Sequence, residues 1–136
     1  MTRAKPTTPA QKRTLLARAR AIRARAYAPY SRFQVGAAVL DDRGRIHTGT
    51  NVENASYGLT ICAERNAVAA AVAAGAKQLR AVAVVTPTSP PGSPCGACRQ
   101  VLAEFAGPET PVLLASPTGA AEETTMGELL PRAFKL

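Results

Sequence analysis

Three cysteines and one glutamate are the residues of this 136-residue chain whose types and spacing could do chemistry. Cys95 and Cys98 form a Cys-x-x-Cys pair, and Cys62 lies far upstream, two residues before Glu64. Three cysteines cannot all pair within one chain, and the N-terminus shows no export signal, so structural disulfides are not expected. Thiolates are soft donors, and three of them suit a tetrahedral zinc ion. The fourth position decides the function. A structural site is closed by a fourth protein ligand, whereas a catalytic one keeps a place for water. The chain has one histidine, His47, so a closed Cys₃His site remains an alternative on residue types alone. Glu64 points the other way. A carboxylate beside the metal but not bound to it can take a proton from a metal-activated water and later hand it to a leaving group. Taken alone, Glu64 could also be a favourable charge at a helix N-terminus. Arg65 and Arg99 stand close enough in sequence to the cysteines to offset thiolate charge.

These residues need elements to position them. The spacing of Leu15, Ala19, Ile22 and Ala26 predicts a first helix over residues 10–28, ended by Pro29, with a flexible arm over 1–9. Phe33 to Leu40 reads as a strand, Asp41-Asp-Arg-Gly44 as a turn, and Arg45 to about Glu53 as a second strand, forming an antiparallel hairpin. A second helix is expected from Ala63 to Ala74, stopped by Gly75. Its Ala67–Ala74 body is apolar all round, which predicts burial on several sides. Leu79 to Thr86 reads as a central strand covered on both faces. A loop from Thr86 to Pro94 with four of the eleven prolines leads to a third helix starting at Cys95 and closed by Gly107-Pro108. Pro111 to Ser116 is a further strand, and the tail fits a short edge strand and one helical turn near Glu128-Leu-Leu-Pro131. The order predicts a three-layer α/β/α fold on a mixed sheet of about five strands. Both cysteine segments would then sit where a loop enters a helix, a common site position in open α/β sheets.

Composition bounds the rest. With 46% hydrophobic residues the length suits a single domain over 1–136 with its own core. The longest apolar stretch is far too short to span a bilayer, so no membrane partner is expected and a cytoplasmic location is. The net charge of +8 is uneven: residues 1–40 hold nine basic residues and no acid, while the remainder is near neutral. Such an excess can contact nucleic acid, but a solvated helix face is the more ordinary reading.

Tyr27-Ala-Pro-Tyr-Ser31, Phe33-Gln-Val-Gly-Ala-Ala38, Asn51-Val-Glu-Asn54, Cys62-Ala-Glu-Arg65, Ser93-Pro-Cys-Gly-Ala-Cys-Arg-Gln100 and Glu128-Leu-Leu-Pro-x-x-Phe134 occur in one order across almost the whole chain. Together they resemble the small homotetrameric cytidine deaminases of the zinc-dependent cytidine and deoxycytidylate deaminase family. The resemblance implies a cytidine-deaminase-like fold, one Zn²⁺ per subunit on Cys62, Cys95 and Cys98, and hydrolytic deamination of cytidine and 2′-deoxycytidine to the uridines with release of ammonia. It makes Glu64 the catalytic proton carrier, a role worth about 10²–10⁴ in rate. Arg65 would draw charge off the sulfurs through hydrogen bonds. Asn51 and Glu53 resemble a ribose-binding pair, and Phe33 a ring stacked on the base with Val35 beside it. The backbone at Ala63 and Ser93 would read the pyrimidine edge. Tyr57 and Phe134 match residues that complete a neighbouring subunit's pocket, which implies a homotetramer with shared sites acting in pyrimidine salvage.

The chain departs from that pattern in places. Asn66 stands where threonine is usual, Phe134 is followed by only two residues, which predicts a loosely tied C-terminal lid, and the first helix is unusually rich in arginine. Two enzymatic rivals share the zinc motif: deamination of a nucleoside antibiotic, and of a polynucleotide. Asn51-Val-Glu53 and Phe33 argue against the first. Three Phe, three Tyr and no Trp argue against the second. A zinc-binding module closed by His47 is the non-enzymatic rival.

Overall fold

The computed structural model describes residues 5–136. Helix α1 (Pro9–Ile22) opens with a reciprocal cap: Thr8 Oγ1 accepts from Gln11 N–H at 3.1 Å, and Gln11 Oε1 accepts from Thr8 N–H at 3.0 Å. Pro9 sits at the first helical position, where its missing N–H is not needed. The helix ends well before Pro29, passing into one 3₁₀ turn over Arg23–Arg25 and then extended chain. The reason is tertiary: Tyr27 N–H donates to Asn51 O at 3.1 Å and Tyr27 O accepts from Glu53 N–H at 2.9 Å, pulling this segment into a bridge.

Strand β1 (Gly36–Asp41) pairs antiparallel with β2 (Ile46–Thr50) and, on its other side, with β3 (Leu79–Val85). Strand β4 (Pro111–Ala115) runs parallel to β3, and β5 (Glu122–Thr125) closes the sheet antiparallel, giving the order β2-β1-β3-β4-β5. β1 starts later than the sequence suggests: residues 33–35 keep one long backbone bond, Asn51 N–H to Val35 O at 3.4 Å, and are otherwise held by the Asn51 side chain. Asn51 Oδ1 accepts from Val35 N–H at 2.9 Å and Asn51 Nδ2 donates to Phe33 O at 2.7 Å.

Period-two alternation sends Ala38, Leu40, Ala81, Ala83 and Val85 toward Leu15 and Ala19 of α1. Ala37, Val39, Val82, Val84 and Val112 face the opposite layer, helices α2 (Ala63–Ala73) and α3 (Gly96–Phe105). The short α4 (Met126–Leu129) joins that layer through buried Met126. The expected three layers and five mixed strands are thus present. α2 lies unusually close to β2. A Cβ on Gly49 would stand 2.4 Å from Ala67 N and 2.6 Å from Ala63 O, so only glycine permits this approach.

Two further expectations are corrected. The segment before α1 does not hang free where it is described: Arg80 donates to Lys5 O at 3.1 Å and Pro6 O at 3.0 Å, and Thr7 Oγ1 donates to Arg80 O at 3.0 Å. The rest of the expected arm, residues 1–4, lies outside the described residues. The apolar body of α2 is buried on one side only, through Ala67, Val68 and Ala71, while Ala69, Ala70, Val72 and Ala73 are exposed within the chain. A single sheet covers only one face of the helix.

Candidate metal centre and nucleoside site

β2 and β3 are both antiparallel to β1, so both finish at the same end of the sheet. The chain leaving β2 delivers Cys62 to the N-cap of α2, and the chain leaving β3 delivers Cys95 to the N-cap of α3. One helical turn brings Cys98 back beside Cys95, whose Sγ accepts from Cys98 N–H at 3.5 Å. The three sulfurs lie within 4.8 Å of one another, with Cys62 Sγ and Cys95 Sγ 3.9 Å apart. Helix N-termini favour thiolate over thiol.

Arg65 Nη2 donates to Cys62 Sγ at 3.4 Å, and its Nε is buried without a hydrogen-bond partner. A guanidinium would not be held so in an uncharged surrounding; it fits sulfurs that carry net negative charge. The Cys98 thiol, with Arg65 and Cys95 adding, holds Cys62 down to about 5 against the effect of burial. Cys98 itself is pushed up by sharing its proton with Cys62 and by burial. This donor set fits one zinc ion held by Cys62, Cys95 and Cys98.

His47 does not complete the cluster. Its Nε2 lies 2.8 Å from Asp41 Oδ2, and among the described residues the group of metal-type ligands contains the three cysteines alone. Arg99 is also placed otherwise than its sequence position suggests. Its three nitrogens donate to Pro94 O (2.7 Å), Leu129 O (2.7 Å) and Ser93 Oγ (2.9 Å), and none of these hydrogen bonds reaches a sulfur.

Glu64, in the first turn of α2, is 5% exposed. Burial pushes its carboxyl up, and the negative charge of Cys62 pushes it further. Ala63, buried beside it, sits at the opening of the same helix. Asn66 Nδ2 donates to Thr50 O at 2.8 Å, tying that turn to the end of β2, a contact the sequence reading did not foresee.

The other expected site residues fall into two groups. Asn51 joins Phe33 and Val35 through its amide, which uses one of its two N–H groups and one oxygen lone pair. Phe33 is partly exposed and Val35 buried. Glu53 stands in a second cluster: Oε1 accepts from the N–H groups of Tyr30 (2.9 Å) and Ser31 (3.1 Å), and Oε2 from the Ser31 hydroxyl. The Ser31 hydroxyl and these N–H groups hold its carboxyl below the usual range. Glu53, Tyr57, Tyr30 and Ser31 line a cavity of about 370 Å³, in which the Tyr30 and Tyr57 rings meet edge to face at 6.2 Å. The anchoring by Ser31 was missed in the sequence, where its only signal is membership of the Tyr27–Ser31 motif. Tyr57 and Phe134 are 77% and 70% exposed, and Ser93 is exposed beside Pro94.

Residues 9–114 match the family model described as the cytidine and deoxycytidylate deaminase zinc-binding region. A cytidine deaminase of Sporosarcina psychrophila is 51% identical over 120 residues, which cover 88% of each chain. One of Mycobacterium tuberculosis is 50% identical over 111 residues, 82% of this chain and 80% of that protein. The crystal structure of cytidine deaminase from Burkholderia pseudomallei matches with a TM-score of 0.85 at 49% identity, covering 90% of this chain and 98% of that one. Three sulfurs at two helix N-termini, a buried glutamate beside them and these similarities agree: the chain belongs to the family of zinc-binding cytidine and deoxycytidylate deaminases.

Proposed function

We propose that this chain is a single-domain cytidine deaminase that hydrolyses cytidine and 2′-deoxycytidine to uridine and 2′-deoxyuridine. The observation that carries the reading is Glu64, a buried carboxyl in the first turn after Cys62, next to three clustered sulfurs and not one of them. A zinc ion held by Cys62, Cys95 and Cys98 would supply Lewis acidity, making water a nucleophile at neutral pH. Glu64 takes a proton from the attacking water and delivers it to ring N3 as oxygen adds at C4, then takes the remaining proton from the C4 hydroxyl and delivers it to the departing amine as the C4 carbonyl forms, so that water is consumed and ammonia leaves. Arg65 withdraws charge from the sulfurs, which matters because three thiolates leave a zinc site net negative.

Glu53, preorganised by Ser31 and Tyr30, accepts from a sugar hydroxyl. Asn51 holds Phe33 and Val35 in place and binds the ribose with the N–H it has left, while Phe33 stacks on the base. The backbone at Ala63 and Ser93 reads the pyrimidine edge. The exposed side of α2 and the exposed Tyr57 and Phe134 support a homotetramer in which those two rings complete a neighbour's pocket, since aromatic and apolar surface of this kind marks interfaces.

The test is ammonia release and the ultraviolet change from cytidine to uridine, on protein of measured zinc content beside its Glu64→Ala variant. Turnover that vanishes in a variant still holding its metal is the expected result. No turnover by zinc-loaded protein on either nucleoside would overturn the reading.

A further inference from the structure

Arg99 follows the ligand Cys98 on α3, yet its donors turn away from the sulfurs. Nε reaches Pro94 O, the carbonyl just before Cys95; Nη2 reaches Ser93 Oγ; Nη1 reaches Leu129 O at the end of α4. One residue on, Gln100 Nε2 donates to Phe134 O at 3.2 Å. Among the described residues these two side chains make the only side-chain hydrogen bonds to residues 129–136, which run from the last residue of the four-residue α4 and join no strand. Leu129, Leu130 and Ala133 pack only partly against the core.

We propose that Arg99 is a positioning residue that locks the C-terminal segment to the loop carrying Ser93 and Cys95, so that the Ser93 wall of one pocket and Phe134 hold fixed places relative to the metal ligands. This rests on the reading above that Ser93 and Phe134 bound the nucleoside. The geometry calls for arginine. Three acceptors on separate segments are met by one planar fork with rigidly spread donors, whereas a lysine ammonium reaches them one at a time. Cationic N–H bonds to carbonyls are also stronger than neutral ones, and Leu129 O is at a helix C-terminus, where a cation is favoured. Gln100 adds the second tie five residues further on.

The experiment is limited trypsin proteolysis read by mass spectrometry as loss of residues 133–136 after Arg132, with steady-state kinetics on cytidine, for zinc-loaded wild type, Arg99→Lys, Arg99→Ala and Gln100→Ala. Arg99→Lys keeps the charge. It is expected to retain its zinc, to lose residues 133–136 about tenfold faster, the loss expected for a charge-assisted bond, and to raise KM several-fold more than it lowers kcat. Gln100→Ala is expected to do the same more weakly. A role in stability alone would reduce the amount of zinc-loaded enzyme and leave KM in place. Unchanged cleavage after Arg132 in folded Arg99→Lys, or loss of zinc in step with activity, would overturn the proposal. Cleavage does not depend on turnover. Faster cleavage in Arg99→Lys with no nucleoside deaminated by wild type would therefore sink the catalytic reading and leave the tie between segments standing.

Discussion

Asp41 and Glu64 are both buried carboxyls, 0% and 5% exposed, and they are driven in opposite directions. Asp41 stands at the β1–β2 turn, where its Oδ1 accepts from the N–H groups of Arg43 and Arg45, each at 2.9 Å, and its Oδ2 meets Arg45 Nε at 3.3 Å and His47 Nε2 at 2.8 Å. Burial alone would raise its pKa, but His47, the two N–H groups and the Arg45 charge together bring it below its ordinary value of 3.8. Glu64 has burial without such a set of donors, and its carboxyl is raised. Burial therefore does not by itself decide in which direction a carboxyl is driven; the donors and charges converging on it do. Asp41 is satisfied and holds a turn, while the carboxyl of Glu64 is raised, as the proton-carrying role proposed for it needs.

The largest test of that contrast is Glu64→Gln, which keeps shape and hydrogen-bonding capacity but cannot carry the proton. Turnover of cytidine is expected to fall by a factor of about 10²–10⁴ or more, while zinc content and melting temperature hold or rise slightly, as relieved active-site strain predicts. A comparable loss of stability would make Glu64 structural after all. Asp41→Asn should behave in reverse. Chemical denaturation is expected to show a loss of about 2 kcal/mol, with kcat per zinc-loaded subunit unchanged.

Arg65→Ala lies between the two, because the guanidinium acts on the sulfurs and not on substrate. A fall in kcat of about tenfold is expected, larger than the fall in zinc content, in line with the loss of a group beside a metal ligand. Zinc lost in strict proportion to activity would reduce Arg65 to a metal-retention role. The smallest effect is on acid stability. Because Asp41 is lowered in the folded chain, its contribution is present above pH 3.8 and is lost as pH falls below that value through the folded pKa. In acid titrations followed by circular dichroism, Asp41→Asn should flatten that part of the profile, and an unchanged slope would remove Asp41 as its cause.

Much of the centre was legible in the chain because its logic is local. Cys-x-x-Cys on an opening helical turn puts two sulfurs together whatever surrounds them, and Cys62-Ala-Glu64 sets a carboxyl one short step from the third. The strands were legible from alternation, and the β1–β2 turn from Asp41-Asp-Arg-Gly44, where Gly44 takes φ +81°. The early end of α1 was not, since it depends on the Tyr27 bridge to the chain after β2. Nor was the late start of β1, set by an asparagine amide sixteen residues away. Arg99 was misassigned for the same reason: proximity to Cys98 in sequence says nothing of which acceptors a long side chain finds.

What the sequence by itself determined is therefore the three-sulfur donor set, the carboxyl that follows Cys62 by two residues and the alternation of elements, all consequences of spacing within one helical turn or one strand. The tertiary structure alone decided that β2 and β3 finish at the same end of the sheet, which joins Cys62 to Cys95, and that Gly49 lets α2 press close against β2. It also decided which charges are satisfied, tying Asp41 to His47 and Arg99 to the C-terminal segment. Those outcomes depend on partners far apart in the chain, and a side chain's protonation and hydrogen bonds are set by the groups packing brings within about 3 Å, which no local pattern encodes.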